Sequence, residues 1–377
     1  MRTRKRPSKI AIAIVVASLG LVGCETDHAP ARGGAAARPS PMSAADSTLV
    51  AQARALFKPL PKPVASPGSK AATQQIALGR ALFFDPRVSL DGTVSCSRCH
   101  QPALYGTDGL ALPIGVQSRV NPRNAPTVLN AALQFVEHWR GDRASVEDQA
   151  TKALIGPPSF GLPDYATAIA RLEALGYEAS FRTAFPTDSQ PLTVDNWGKA
   201  IGAYERTLLT PSPFDRLLEG ESGALDGQAK AGLRKFIGFG CGGCHNGVGV
   251  GGGLYQKFGL VRDYWTATGS TRIDKGRADV THNPADLYVF KVPSLRNVAM
   301  TPPYFHDGSV ATLAGAVRVM GEVQLGRELI PADVDDLVAF LRSLTGPMPA
   351  QFAQAPVLTP SNGVPVGSPL GPVAQRP

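Results

Sequence analysis

The sequence predicts a mainly α-helical chain folded as two domains. Three observations carry that expectation. The pattern C-x-x-C-H occurs twice, at Cys96-Ser97-Arg98-Cys99-His100 and at Cys241-Gly242-Gly243-Cys244-His245, once in each half of the chain. Apolar residues recur at helical spacing through most of its length, and no run of alternating strands interrupts them. About 300 residues remain once the compositionally biased ends are set aside, enough for two cores.

Residues 1–23 read as an export signal of lipoprotein type. Arg2, Arg4, Lys5, Arg6 and Lys9 form a basic start, and Ile10 to Leu19 an apolar run too short for a spanning helix. Leu21-Val22-Gly23-Cys24 resembles a bacterial lipobox, which implies cleavage before Cys24 and its lipidation. An ordinary signal peptide cut elsewhere would share the first two features. Either way export to the periplasm is expected; the lipobox reading adds a lipid anchor to a membrane. The chain has 38 Lys+Arg against 30 Asp+Glu, a formal charge of +8. Removing the signal deletes five basic residues and no acidic one, leaving +3. That balance gives no argument for nucleic acid binding.

Residues 24–50 are expected to be a flexible tether, 51–215 the first domain, 216–346 the second and 347–377 a Pro-rich tail, disordered or wrapped over the surface. The domain break is expected near Pro211–Glu221, where Pro and Gly interrupt the helical pattern. Helical spacing marks Ala44–Phe57, Thr73–Phe84, Val146–Leu154, Tyr165–Leu175 and Thr193–Leu209 in the first half. Leu225–Ile237, Ala311–Met320 and Pro331–Leu344 follow in the second. No internal repeat is visible beyond the two pentapeptides.

C-x-x-C-H is the attachment motif of a c-type haem. Two thiols one helical turn apart reach the two vinyl groups of one porphyrin, and the adjacent histidine lies beneath the iron. Cys-x-x-Cys alone also serves zinc sites and thiol redox pairs. Of five cysteines, four sit in the two motifs and the fifth is Cys24, so no pair is left for a structural disulfide. Gly238-Phe239-Gly240-Cys241-Gly242-Gly243 matches G-x-G-x-x-G, but it follows no strand of a βαβ unit and fails as a dinucleotide site.

Several further stretches, in order, resemble the bacterial dihaem cytochrome c peroxidases, a family that includes the MauG-type protein-oxidising enzymes. They are Gly92–His100, Pro122–Asn130, Trp139–Arg143 with Gln149, Cys244–Gly247, Tyr255–Gly259, Phe290–Asn297, Pro303–Gly308 and Val319–Gly321. The resemblance implies two cytochrome c-like domains, each with one covalent haem. Cys96, Cys99 and His100 would hold the first, which reduces hydrogen peroxide. Cys241, Cys244 and His245 would hold the second, which takes electrons from a small cytochrome c or cupredoxin. It also implies Trp139 between the haems, His306 near the propionates, and a homodimer. Calcium would bind Asn124 through its side-chain oxygen and Thr301 and Pro303 through their carbonyls, all hard oxygen ligands. Met320 would be the second axial ligand of the His245 iron and raise its potential. From the residues alone, Leu313, Val317 and Met320 share a helical face, as a core methionine would. Asn124 equally suits a helix N-cap, His306 a structural turn histidine and Trp139 a buried packing aromatic.

The departures concern the first haem. Where many relatives carry a dissociable histidine ligand, sixteen residues after His100, this chain has Val116, which cannot bind iron. Where they carry a distal glutamate, Ser159 stands, a poorer acid-base group. Gln149 is retained among the catalytic set with Trp139 and Ser159. His138 is either a substitute ligand or base or a loop histidine. The expected function is a peroxidase; the alternatives are a MauG-type enzyme, a dihaem electron carrier or sensor, and a zinc-binding module. MauG-type enzymes use tyrosine where Met320 stands.

Overall fold

A Ser, Thr or Asp side chain caps most of the longer helices. In the computed structural model residues 43–62 and 68–358 are described. The expected signal segment 1–23, the expected lipidation site Cys24, the expected tether up to residue 42 and the tail beyond residue 358 lie outside them. Ser43 caps α1 (Ala44–Leu56), Ser69 caps α2 (Lys70–Phe84), and a four-residue helix α3 (Cys96–Cys99) carries the first cysteine pair. Ser145, Asp164 and Thr193 cap α4 (Val146–Ala153), α5 (Tyr165–Ala174) and α7 (Val194–Glu205), with α6 (Glu178–Ala184) between the last two. Each cap oxygen accepts from a first-turn N–H that would otherwise have no partner. Pro213 starts α8 (Pro213–Glu219) and Asp226 caps α9 (Gly227–Gly238). Strands β1 (Tyr255–Lys257) and β2 (Val289–Lys291) pair antiparallel, Tyr255 opposite Lys291. Short helices α10 (Tyr264–Thr268) and α11 (Ala278–Thr281) lie between them in sequence. Then come α12 (Leu313–Leu325), α13 (Pro331–Arg342) and α14 (Ala350–Ala353).

Two apolar cores result. Phe83, Leu172, Phe181, Trp197 and Tyr204 anchor the first, built on α2 and α4 to α7. Phe214, Leu233, Phe236, Val334 and Phe340 anchor the second, built on α8, α9 and α13. In each, two helices meet backbone to backbone at a glycine. A Cβ on Gly79 of α2 would sit 1.9 Å from the Ala200 oxygen of α7, and one on Gly232 of α9 would sit 1.9 Å from the Asp336 oxygen of α13. No larger residue allows either approach.

The mainly helical expectation holds, with differences in detail. The tether does not reach residue 50: α1 begins at Ala44, and Leu49 and Val50 are buried in the second core. Nor does this helix join the first domain. Phe57 meets Phe214 edge-on at 5.4 Å, and the Gly247 N–H donates to the Leu56 oxygen at 2.8 Å. The expected break at Pro211–Glu221 is helix α8, because Pro213 occupies a first-turn position where a missing N–H costs nothing. The described part of the tail wraps the surface. Phe352 is fully buried against Phe83, and Arg80 donates to the Gln351 oxygen at 2.8 Å. The two ends of the described chain are therefore exchanged, the leading helix on the second core and the trailing one on the first. No helix among the described residues is long and apolar enough to cross a membrane.

An internal duplication is present that the sequence had hidden. Asn130 and Asn297 each stand four residues after a proline, Pro126 or Pro293. Both adopt φ +61°, both precede a 3-10 turn, and both donate to the Thr210 hydroxyl, at 2.8 and 2.9 Å. Nine residues beyond each asparagine come Trp139 and His306. Two residues before each proline come Asn124 and Lys291. The halves meet through these pairs. The Asn124 N–H donates to the His306 carbonyl at 2.7 Å, and the Lys291 N–H to the Trp139 carbonyl at 2.8 Å.

Candidate functional site

Both pentapeptides present free thiols beside a histidine. The four described cysteines are unpaired. Burial pushes the Cys99 and Cys241 thiols up to about 11, so neither favours the thiolate that redox exchange or zinc binding requires. Among the described residues no group of three or more His, Cys, Asp or Glu side chains is placed to hold a metal ion, so no tetrahedral zinc set is completed. Burial lowers His100 and His245 to about 4, which keeps both imidazoles neutral, the form that ligates iron. His100 Nδ1 lies 3.0 Å from the Gly106 oxygen, a contact that leaves Nε2 for a ligand. The His245 Nδ1 is buried and meets no hydrogen-bond partner among the described residues.

A cavity of about 390 Å³ opens at the second pentapeptide. Cys241, Cys244, His245 and Met320 line it, with Leu313, Val317, Leu337 and Leu341 as apolar wall. Met320 thus faces the space that His245 enters, which suits an axial ligand. Thiols, imidazole, thioether and apolar wall together fit a covalently held haem.

The same cavity is lined by Asn124, Trp139, Thr301, Pro303 and His306. The three expected calcium residues therefore line one cavity. Asn124 caps no helix, since none begins in residues 125–128, and the N-cap alternative falls. Its amide nitrogen donates to the Leu110 oxygen at 2.7 Å, which leaves its side-chain oxygen as an acceptor. Trp139 donates its indole N–H to the Asn124 carbonyl at 2.9 Å. His306 stacks on Phe290 with ring centroids 4.5 Å apart, and its Nε2 is buried with no partner among the described residues. A turn histidine satisfied by hydrogen bonds would look different.

Cys96, Cys99, His100, Gln149 and Ser159 do not line that cavity and belong to the first pentapeptide's side. Gln149 sits on α4, and the loop after α4 carries Ser159 back over it. Val116 is fully buried against this loop. Its N–H donates to the Ser159 oxygen at 3.3 Å, and a Cβ on Gly161 would come within 2.5 Å of its Cγ1. Val116 and Ser159, the two departures, are thus neighbours. The His138 ring lies 3.4 Å from Asp142 and is partly exposed, as a loop histidine would be.

A buried charge cluster escaped the sequence reading. Glu137, Glu205 and Lys291 are 7, 5 and 4 % exposed. Lys291 donates to the Gln134 side-chain oxygen, and Gln134 donates to Glu137 at 3.3 Å. Glu147 is held by Arg206. Glu205 lies on the face of α7 that also buries Trp197 and Ile201. A lone carboxylate within an apolar stripe is the sequence signal that could have found it.

A family model described as di-haem cytochrome c peroxidase matches residues 73–223. Cytochrome c551 peroxidase of Pseudomonas aeruginosa is 43% identical over 316 residues, covering 82% of this chain and 90% of that protein. Methylamine utilization protein MauG of Methylorubrum extorquens is 34% identical over 298 residues, covering 76% and 81%. A solved MauG-like protein associated with microbial copper homeostasis superposes with a TM-score of 0.67 at 29% identity, covering 78% of this chain and 97% of that one.

Proposed function

Since the chain belongs to the di-haem cytochrome c peroxidase family, we propose that it is a periplasmic, lipid-anchored peroxidase that reduces hydrogen peroxide with electrons from a small redox protein. The observation that carries this reading is the cavity shared by Cys241, Cys244, His245 and Met320, with Trp139 on its wall. When bound, haem supplies the redox-active iron at each pentapeptide. The chain's residues do the rest. Cys96 and Cys99 fix one macrocycle and Cys241 and Cys244 the other. The Gly106 carbonyl orients His100 and makes it a stronger donor. Met320 selects a high potential at the second site, which suits electron entry. Trp139, hydrogen-bonded to Asn124 and through its carbonyl to Lys291, is held between the halves for electron passage. Val116 closes the first site to any histidine at its position and leaves it open to peroxide, while Gln149 and Ser159 offer hydrogen bonds there. Calcium held by Asn124, Thr301 and Pro303 would lock the two halves in register.

Steady-state peroxide reduction with a reduced small cytochrome, with and without pre-reduction of the enzyme, tests the reading. Turnover without pre-reduction is expected. No turnover in either condition would replace it with a dihaem electron carrier or sensor.

A further inference from the structure

The duplication gives the candidate calcium site a counterpart. Asn124 corresponds to Lys291, and Thr301, four residues after Asn297, corresponds to Gln134, four residues after Asn130. Where one copy offers carbonyl and amide oxygens to a cation, the other holds its own cation, the Lys291 ammonium, on the Gln134 oxygen. Calcium carries no proton; an ammonium does. The ammonium sits on the wall of the second cavity. On its far side, Glu137 is linked through Gln134.

Three carboxylates converge behind it from separate segments: Glu137 before Trp139, Glu147 on α4 and Glu205 on α7. Only two have a cation. Arg206 takes Glu147, and Lys291 stabilises the Glu137 anion. Among the described residues no ion pair or side-chain hydrogen bond reaches Glu205. Burial, with repulsion from Glu137 and Glu147, pushes its carboxyl well above the ordinary range and favours its protonated form. Its charge would act on the Cys96 thiol, which places it by the first site. The cluster therefore runs from one pentapeptide to the other, and Ser159 leaves the first without the carboxylate that relatives use.

We infer that Lys291, Glu137 and Glu205 form a proton store between the two haem sites, filled as an electron arrives at the second and drawn on as peroxide is reduced at the first. The inference rests on the peroxidase reading and deepens it. Reducing one peroxide breaks the O–O bond and consumes two electrons, from the small redox protein, and two protons, giving two waters. The store supplies one proton and solvent the other, and the store refills from solvent. The groups that face it are Glu147 from α4, Arg206 from the end of α7 and Cys96 from α3. Burial pushes Glu137 above the ordinary carboxylate range and Lys291 below the ordinary amine range, so their affinities converge and the two titrate as one buried pair.

The test is the potential of the second haem against pH in the intact dihaem protein, by spectroelectrochemistry. An added electron favours an added proton nearby, so the potential should fall as pH rises from about 6 to about 9. Glu137→Gln and Glu205→Gln should each reduce that slope by roughly half or more. A wild-type slope near zero, or an unchanged slope in both variants, overturns the proposal. Should a variant fail to take up haem, proton uptake per electron in the wild type, followed with a pH indicator, decides: uptake supports the store and no uptake overturns it. Peroxide turnover is assayed separately. Its absence in the wild type would overturn the peroxidase reading without touching the slope.

Discussion

Trp139 donates its indole N–H to the backbone carbonyl of Asn124, 2.9 Å away, and so ties an aromatic on the wall of the second cavity to a candidate calcium residue. The Asn124 N–H in turn donates to the His306 carbonyl. A cation on the Asn124 side chain would fix both contacts. Chelation, or Asn124→Ala, is therefore expected to slow electron transfer between the haems and to change Trp139 fluorescence. Stopped-flow reduction of the first haem after loading the second measures the rate. Unchanged spectra and rate under both treatments would remove calcium from the site.

Met320 should ligate the iron held by His245. The near-infrared charge-transfer band of a His/Met haem is the direct signature, and Met320→His should lower the potential of that haem markedly. The cavity wall of Leu313, Val317, Leu337 and Leu341 is untouched by the change. A constant potential would return Met320 to a packing role.

Asp215 and Arg296 form a buried two-pronged pair, both contacts 2.9 Å. Asp215 also accepts from the Leu60 and Ser212 backbone N–H groups at 2.7 Å. Burial alone would raise its pKa, but Arg296 and these donors hold it below 3.8. A depressed carboxylate contributes its stability in full above the unfolded value and loses it as pH falls through the folded one. This pair should therefore weaken the second core only below about pH 4. Asp215→Ala leaves a buried guanidinium unpaired and should cost about 3–5 kcal/mol. Denaturant melts at pH 7 and pH 3 check both statements; equal losses from the variant at the two pH values would contradict the linkage.

Helices with a Ser, Thr or Asp cap before an apolar stripe were legible, because both signals are local. Two seven-residue helices went unread, too short to show an apolar stripe. Helix α6 starts at Glu178 without a side-chain cap, and α8 hides behind Pro213, a residue that stops a helix everywhere but its first turn. That α1 serves the second core was not legible, since Leu49 and Val50 would suit either. The duplication was obscured because its two copies share little but Pro-x-x-x-Asn, at unequal distances from His100 and His245. The ligand residues were legible from covalent chemistry, which demands a fixed spacing. Glu137, Glu205 and Lys291 act through field and burial, which no spacing records.

The neighbouring departures at the first site make the last prediction. Val116 cannot ligate iron, so the oxidised enzyme should be high-spin at the first haem and bind cyanide or peroxide without pre-reduction. Electron paramagnetic resonance of the resting enzyme reads this directly. Val116→His should create a low-spin state that reacts only after reduction. It should also cost about 1–3 kcal/mol, because the buried valine already packs on Gly161 and an imidazole overfills that space. Ser159→Glu acts on a different step. A carboxylate there restores a general acid-base group and should raise the peroxide rate, by up to about 100-fold if it reaches the bound oxygen. Ser159 is only half-buried, so the longer side chain has room to turn inward. The effects are separable because Val116→His changes spin state and access, and Ser159→Glu changes rate alone. A resting enzyme low-spin at both haems would mean another side chain ligates the first iron. A Ser159→Glu variant no faster than wild type would place the proton supply elsewhere, and Glu205→Gln would then be the variant to compare.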